Sequence, residues 1–432
     1  FEAAWALTNI ASTEHTHVVV DAGACPHLVN LLRAPAAEVR EQAAGCLGNI
    51  AGGNAKYRDA LLTQTHMLHN VLLNIKTPAN PSLLRNVTWS LSNLCRGKPK
   101  PALKAIAPAF PALRHLLTIA DEEVVTDACW ALSYVSDGED ARIEGVVDSG
   151  AVPLLINLMG STQKATIMTP ALRTVGNIVS GNDKCTQHAL DNKLLHVLST
   201  LINHRKKAIR KETCWALSNI TAGTHAQIKA VADFPGLLAN VIAHTRTGSE
   251  WDVRKEAAWA VSNMVNSANA EVVCKVVDAG FLPPLIDLLE VADSKIIMVA
   301  LEAVEAVLKT GRKCGRDFTE TFEAEDGIDK LEALQEHKDQ KIYERTLKII
   351  ETYFAEEDEE DENQAAGSGP AHGGPMTFDF TGAATTMPNA PQAQAPGNAF
   401  NFGIGCGAEQ RAPPPAAKMA FDFSSAANMA AF

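Results

Sequence analysis

The sequence predicts an all-α protein: a right-handed α-solenoid of repeated helical units, ending in a disordered, acidic, low-complexity C-terminal tail. Three observations carry this reading. A helical motif recurs at a near-constant interval, a second marker recurs in another phase, and the composition changes abruptly after residue 354.

The helical motif appears as Trp5-Ala-Leu-Thr-Asn9, Trp89-Ser-Leu-Ser-Asn93, Trp130-Ala-Leu-Ser-Tyr134, Trp215-Ala-Leu-Ser-Asn219 and Trp259-Ala-Val-Ser-Asn263. Degenerate copies, Gly45-Cys-Leu-Gly-Asn49 and Arg173-Thr-Val-Gly-Asn177, fill the gaps, so the first positions are spaced by 40 to 44 residues. The second marker is Asp21-Ala-Gly23, Asp148-Ser-Gly150 and Asp278-Ala-Gly280. Periods of about 40–47 residues with two or three helices per unit belong to armadillo and HEAT arrays.

Taken in order, the chain opens at Phe1 inside an amphipathic helical pattern with no capping residue before it, which predicts a truncated first repeat. Within each unit the Asp-x-Gly marker reads as a helix start, followed by an apolar helix such as Val152 to Leu158, a turn, and the Trp-x-x-x-Asn helix. No unit can bury its apolar stripe alone, so stacked neighbours make one continuous core. The pattern weakens past residue 300 (Val299 to Val304), and a last helix is expected from about Ile342 to Phe354. Residues 1–354 are therefore assigned to the solenoid. Residues 355–432, with an acidic run at 356–362 and little aliphatic content, are assigned to the disordered tail.

Composition agrees. Hydrophobic residues make up 46% of the chain and aromatics only 6%, which favours helices over a β-sandwich. The formal charge of -12 suits a polybasic peptide partner better than nucleic acid. The nine cysteines contain no C-x-x-C pair and read as buried, reduced thiols, with neither a disulfide framework nor a metal site. No apolar run is long enough to span a membrane, and no membrane partner is expected.

Trp at i and Asn at i+4 share one helix face. One such pair is ordinary core, but a ladder of them at a fixed period suits a concave binding surface. Parallel indoles make slots for the aliphatic stems of Lys or Arg, with cation–π attraction of about 0.5–2 kcal/mol per contact. An Asn carboxamide offers a donor and an acceptor, so it can hold an extended peptide backbone without reading its side chains. Acidic residues one turn before the Trp position (Glu2, Asp127, Glu212 and Glu256) could meet the ammonium ends, while others serve as solvated charges or internal ion pairs. Arg173 stands at a Trp position between the two clusters of the ladder and would disfavour a bound lysine. Two separated cation sites suit a ligand with two basic clusters.

Several segments then resemble the importin α family: Phe1 to Ile10, Leu91 to Gly97, Asp127 to Tyr134, Val175 to Asp183, Leu217 to Gly223 and Ile349 to Phe354. The resemblance runs in continuous order over roughly residues 1–362. It implies an adaptor for cargo proteins bearing lysine-rich nuclear localisation signals, shuttling between cytoplasm and nucleus, with no enzymatic activity and no cofactor. Carried over by matching motifs, the major signal-binding site would use Trp5, Asn9, Asn49, Trp89, Asn93 and Asp127. The minor site would use Asn177, Gly181, Thr186, Glu212, Trp215, Asn219, Glu256, Trp259 and Asn263.

The match has departures. Gly45 stands where the family has a second major-site Trp, and Gly53 where it has an Asp that pairs with the best-bound lysine. The loop from Ile10 to His17 is short and offers only Thr16 as a contact. The minor site is therefore expected to bind comparably to the major one, or better. The family's basic N-terminal segment for importin β is absent from this chain, which reads as truncation or as a natural variant without autoinhibition, and the family's export receptor meets the last repeat and the acidic run. The tail's Phe378-Asp-Phe380, Phe400-Asn-Phe402 and Phe421-Asp-Phe423 read as spacer or as sparse pore-type motifs.

Other functions find less support. His15 with His17, and His66 with His69, lack a third ligand for a metal, and no Walker A or G-x-S-x-G sequence occurs. The basic run at Arg205, Lys206, Lys207, Arg210 and Lys211 could pass for a nuclear signal or a nucleic-acid patch, but its place just ahead of a Trp helix reads better as an exposed turn. The principal alternative is an armadillo scaffold of the catenin type, whose groove would be basic; a HEAT-like regulatory subunit would lack the repeated Asn.

Overall fold

A computed structural model of the chain describes residues 1–267 and 269–355, and these are helical throughout, with no strand among them. The expected tail falls beyond Ala355, outside the described residues, as do the acidic run, the Phe motifs and Cys406.

Each repeat after the first contains three helices, within the two or three per unit that the period implies. The third and longest carries the Trp–Asn register: Glu2–Ala11, Ala37–Gly53, Pro81–Cys95, Glu122–Ser136, Ala165–Val179, Lys207–Thr221, Trp251–Ser267, Ser294–Cys314 and Gln340–Tyr353. Each of these packs against the next in line, so they form one wall of the solenoid.

The Asp-x-Gly marker stands at the expected helix start, since Ala24–Leu31, Val152–Ser161 and Leu282–Asp287 begin just after its glycine, and it also ends the helix before. Asp21, Asp148 and Asp278 end the first helices Thr16–Asp21, Asp140–Asp148 and Ala270–Asp278. The chain then reverses through a left-handed residue: Gly23 (φ 73°), Gly150 (φ 76°) or Gly280 (φ 86°). Glycine is favoured there because a Cβ clashes in this region of backbone space. The same turn is made by His66, Lys193, Gly236 and Asp326 in other repeats, so the turn recurs even where its glycine does not.

The last helix begins with the Asp339 side chain accepting from the Lys341 amide. One apolar core runs from Ala11 to Ile349, built from alternating contributions of successive repeats. Leu28, Leu47, Leu91 and Phe281 are among its fully enclosed side chains.

Buried polar groups stitch the layers together. Asn70 and Asn74 donate to the Val29 and Leu32 carbonyls of the preceding repeat, at 3.0 and 2.9 Å. The Arg58 guanidinium, fully enclosed, donates to the carbonyls of Arg96 and Pro99. Such pairing is required, because an unsatisfied buried donor costs about 1–3 kcal/mol.

The basic run at 205–211 belongs to this framework. Arg210 donates to the carbonyls of His204 and Arg205, and Lys207 pairs with Asp252 at 2.8 Å.

Candidate functional site

The Trp and Asn residues singled out by their spacing fall on consecutive third helices in matching positions. Trp5, Trp89, Trp130, Trp215 and Trp259 are all half-buried, so each indole keeps part of its surface open. Trp130 stacks on Tyr134, which replaces Asn in that repeat, with ring centroids 5.8 Å apart.

The asparagines have a second job that their spacing does not reveal. Asn49 donates to the Thr8 carbonyl, Asn93 to Gly48, Asn177 to Ser133, Asn219 to Gly176 and Asn263 to Ser218, at 3.0–3.3 Å. Each acceptor sits one residue before the corresponding Asn, or Tyr134, of the preceding repeat. Every carboxamide thus spends a donor on holding two repeats in register. A second N–H and the carbonyl oxygen are what remain for a ligand.

What remains differs along the ladder. Asn49 and Asn93 are 6% and 2% exposed, and the Asn49 Oδ1 is enclosed without a partner. Asn219 and Asn263 are half-buried, as is Asn9 at the earlier end. Asn177 is buried, and its amide is shared between the Ser133 carbonyl and the Ser136 hydroxyl.

Two residues that sequence reasoning missed set the indoles. A Cβ built on Gly48 would collide with the Trp89 ring, lying 2.7 Å from Cε3; one built on Gly176 would lie 2.7 Å from Cε3 of Trp215. The Trp–Asn pair of one helix therefore grips a single glycine of the helix before it, the ring against its Cα and the amide on its carbonyl. The signal was present: Gly precedes Asn in both degenerate copies, and each is followed by a repeat with a full Trp.

The acidic residues divide. Glu212 is held by Arg173, whose Nε donates at 2.6 Å and whose Nη2 bonds the other carboxylate oxygen. The Arg173 guanidinium also lies 5.7 Å from the Trp215 ring centroid. This chain thus supplies its own cation to Trp215 and Glu212, which removes Glu212 from the carboxylates free to meet a ligand.

Glu256 has no such partner. Burial pushes its carboxyl up to about 7, with Lys211 and Lys255 pulling it down and Glu212 and Asp252 adding to the rise. Asp127 behaves alike, pushed up to about 7 by burial and then by Glu123. A carboxyl whose charge is penalised in this way has most to gain from a cation brought beside it. Glu2, at the first helix, is exposed.

Thr16 and Thr186 are turned inward. Thr16 donates to the carbonyls of Ala11 and Thr13, and Thr186 to that of Val179, so both hydroxyl protons close helix ends. Gly181 lies against Ile143, where an added Cβ would sit 3.0 Å from Cδ1. Beside Gly53 there is ordinary space, with Tyr57 and Thr16 at 3.5 and 3.7 Å from a built Cβ. Gly45 is buried in its helix. The described residues hold no cluster of three or more His, Cys, Asp or Glu able to bind a metal.

Comparison with known proteins places this geometry. Profiles described as armadillo/beta-catenin-like repeat match residues 12–52, 99–137, 143–180 and 182–222, and one described as atypical Arm repeat matches 316–367. Importin subunit alpha-1b of Oryza sativa subsp. japonica is 43% identical over 416 residues, 93% of this chain and 74% of the relative. Importin subunit alpha-4 of Arabidopsis thaliana is 44% identical over 380 residues, 85% of this chain and 70% of the relative. Among solved structures, an engineered protein superposes with a TM-score of 0.64 at 27% identity, covering 81% of this chain and 94% of its own.

Proposed function

The chain belongs to the importin α family, and from that premise we propose that it is an adaptor for protein import into the nucleus, gripping lysine-rich localisation signals along the wall of third helices. Its partners on this reading are cargo proteins bearing one or two basic clusters and importin β. An export receptor would contact the last repeat. The observation that carries the reading is the row of half-buried indoles, Trp89 and Trp215 among them braced on a glycine of the preceding helix, with half-buried carboxamides beside Trp215 and Trp259.

In mechanism, a lysine stem lies between two indoles and its ammonium reaches a carboxylate. Glu256 is the carboxylate best suited to this in the later site, since Glu212 is already paired. The free N–H and Oδ1 of Asn219 and Asn263 pair with the peptide backbone and keep it extended. The earlier site has buried carboxamides at Asn49 and Asn93 and lacks both an indole at Gly45 and an acid at Gly53. These differences support a ranking in which the later site dominates. The acidic residues on the wall also favour a basic ligand over the acidic ligands that a catenin-type groove would take.

Fluorescence anisotropy of a labelled bipartite lysine-rich peptide tests the proposal, with Trp89→Ala and Trp215→Ala as separate variants. Removing one cation–π slot should weaken binding by about 3- to 30-fold. Loss mainly with Trp215→Ala supports both the adaptor and the ranking; loss mainly with Trp89→Ala keeps the adaptor and reverses the ranking. A wild-type chain that ignores the peptide sinks the reading.

A further inference from the structure

Eight cysteines fall within the described residues, all as free thiols. Six are buried, but Cys274 is half-buried and Cys314 is exposed, which corrects the expectation that all are enclosed. These two, 40 residues apart in the chain, bring their sulfurs within 4.0 Å. Cys274 lies on Ala270–Asp278 and Cys314 ends Ser294–Cys314, the first and third helices of one repeat, which pack together.

We propose that Cys274 and Cys314 are an oxidisable thiol pair, which a peroxide converts to a disulfide that staples the two helices of this repeat together.

Closure needs only small movements. A disulfide holds its sulfurs about 2.05 Å apart, so each side chain must swing by roughly an ångström. Cys314 can move because it is the last helical residue. The chain leaves it through Gly315 in the left-handed region (φ 70°), with the Arg316 amide closing the helix on the Gly311 carbonyl. Arg316 is pinned beside the pair by two bonds to Asp278, at 2.6 and 3.1 Å, and by its guanidinium over the Phe318 ring. Burial and the neighbouring Cys314 raise the Cys274 thiol, while Arg316 favours its thiolate.

The order of reaction follows from access. The exposed Cys314 thiolate attacks hydrogen peroxide, forming a sulfenic acid and releasing hydroxide. The Cys274 thiolate then attacks the sulfenic sulfur, forming the S–S bond and expelling a second hydroxide. With the two thiol protons the products are a disulfide and two waters, and two electrons pass from the thiols to the peroxide. Closing a 40-residue loop restricts the unfolded chain and so stabilises this repeat.

The test treats the whole reduced chain with hydrogen peroxide in modest excess and maps its peptides without reduction. The expected result is one linked peptide joining Cys274 to Cys314, two hydrogens lighter than its parts and released by dithiothreitol. Its formation should raise the thermal midpoint of the wild-type chain. Cys274→Ser should leave a sulfenic acid at Cys314 that dimedone traps, and Cys314→Ser should give neither product. Free thiols at both positions after treatment overturn the proposal. So does sulfinic acid in place of the link, or a link from either cysteine to Cys406.

Discussion

Glu256 illustrates how much a single side chain can decide. It is only 5% exposed, and its carboxyl is pushed up to about 7 because burial penalises the charge. A raised carboxyl is largely protonated in the free protein below that value, and a lysine ammonium beside it restores the charged form. Binding therefore expels a proton, and affinity should fall as the medium becomes more acid. Between pH 7.5 and pH 6 the loss is about tenfold for one such group. Peptide titrations at both pH values should show it in the wild type, and Glu256→Gln should flatten the profile. The same shift has a folding consequence of definite sign. The folded state holds its proton more tightly than the unfolded chain, so Glu256 costs stability as pH rises from about 4.5 to 7 and beyond. Glu256→Gln should accordingly unfold at higher temperature than the wild type at pH 8. At Gly176 the decisive feature is a missing atom. A Cβ there collides with the Trp215 ring, and small-to-large changes at such contacts cost about 1–3 kcal/mol. Gly176→Ala should tilt that indole and weaken peptide binding about tenfold, by the same anisotropy assay. If affinity is unchanged, the bracing of Trp215 is irrelevant to binding. The position of each Trp and Asn is legible in the sequence because i, i+4 spacing fixes a shared face. The double duty of each Asn is not, because its acceptors are backbone carbonyls, which every residue carries alike.

Helices of a repeat are joined by turns whose chemistry is only partly written in residue type. Gly23, Gly150, Gly236 and Gly280 make the left-handed turn between first and second helices, yet His66, Lys193 and Asp326 make it too. Non-glycine residues there bear a steric cost of roughly 1–2 kcal/mol. Lys193→Gly should therefore stabilise the chain by up to about 1 kcal/mol, some of the gain being lost to the freer unfolded state. Gly150→Ala should destabilise it by a similar amount. Chemical denaturation of both variants, compared by midpoint at constant slope, measures the pair, and equal midpoints would deny the turn its strain. These turns also explain why only two of the three helices per unit are marked in the sequence. Where glycine is absent, nothing in Asn192-Lys193 announces a break, and Asp148-Ser-Gly150 looks equally like a start or a stop. The third helix announces itself better. Its Trp-x-x-x-Asn frame survives in Gly45 to Asn49 and Arg173 to Asn177, because the Asn must still reach back to the preceding repeat. In the next helix Glu302 and Ala306 stand in that frame, and Ala306 has no carboxamide to reach back. Beside it Glu305 pairs forward with the last helix, with Arg345 at 2.7 Å and Lys348 at 3.1 Å.

Across the whole molecule the inter-repeat bonds make the wall a single ruler, so the two ends of the ladder are held at a fixed separation. A ligand with two basic clusters gains from this only if both ends bind, since the second cluster then meets its site at a high effective concentration. On the proposed reading the earlier end is the weak partner. Its carboxamides at Asn49 and Asn93 are enclosed, and Gly45 and Gly53 supply neither ring nor charge. Gly53 offers the cleaner repair, because it is exposed and a side chain there meets nothing closer than 3.5 Å. Gly53→Asp should add one partly solvated ion pair to a bound lysine, worth about 0.5–1 kcal/mol, or a two- to fivefold gain. A peptide with a single basic cluster that already occupies the later site should respond little. A bipartite peptide with a linker long enough to span both ends should respond by the full factor, and more strongly at low salt. Measuring both peptides against both chains separates a repaired site from a general increase in negative charge. If the single-cluster peptide tightens as much as the bipartite one, the aspartate acts through the overall field and the earlier end is not a binding site in this chain.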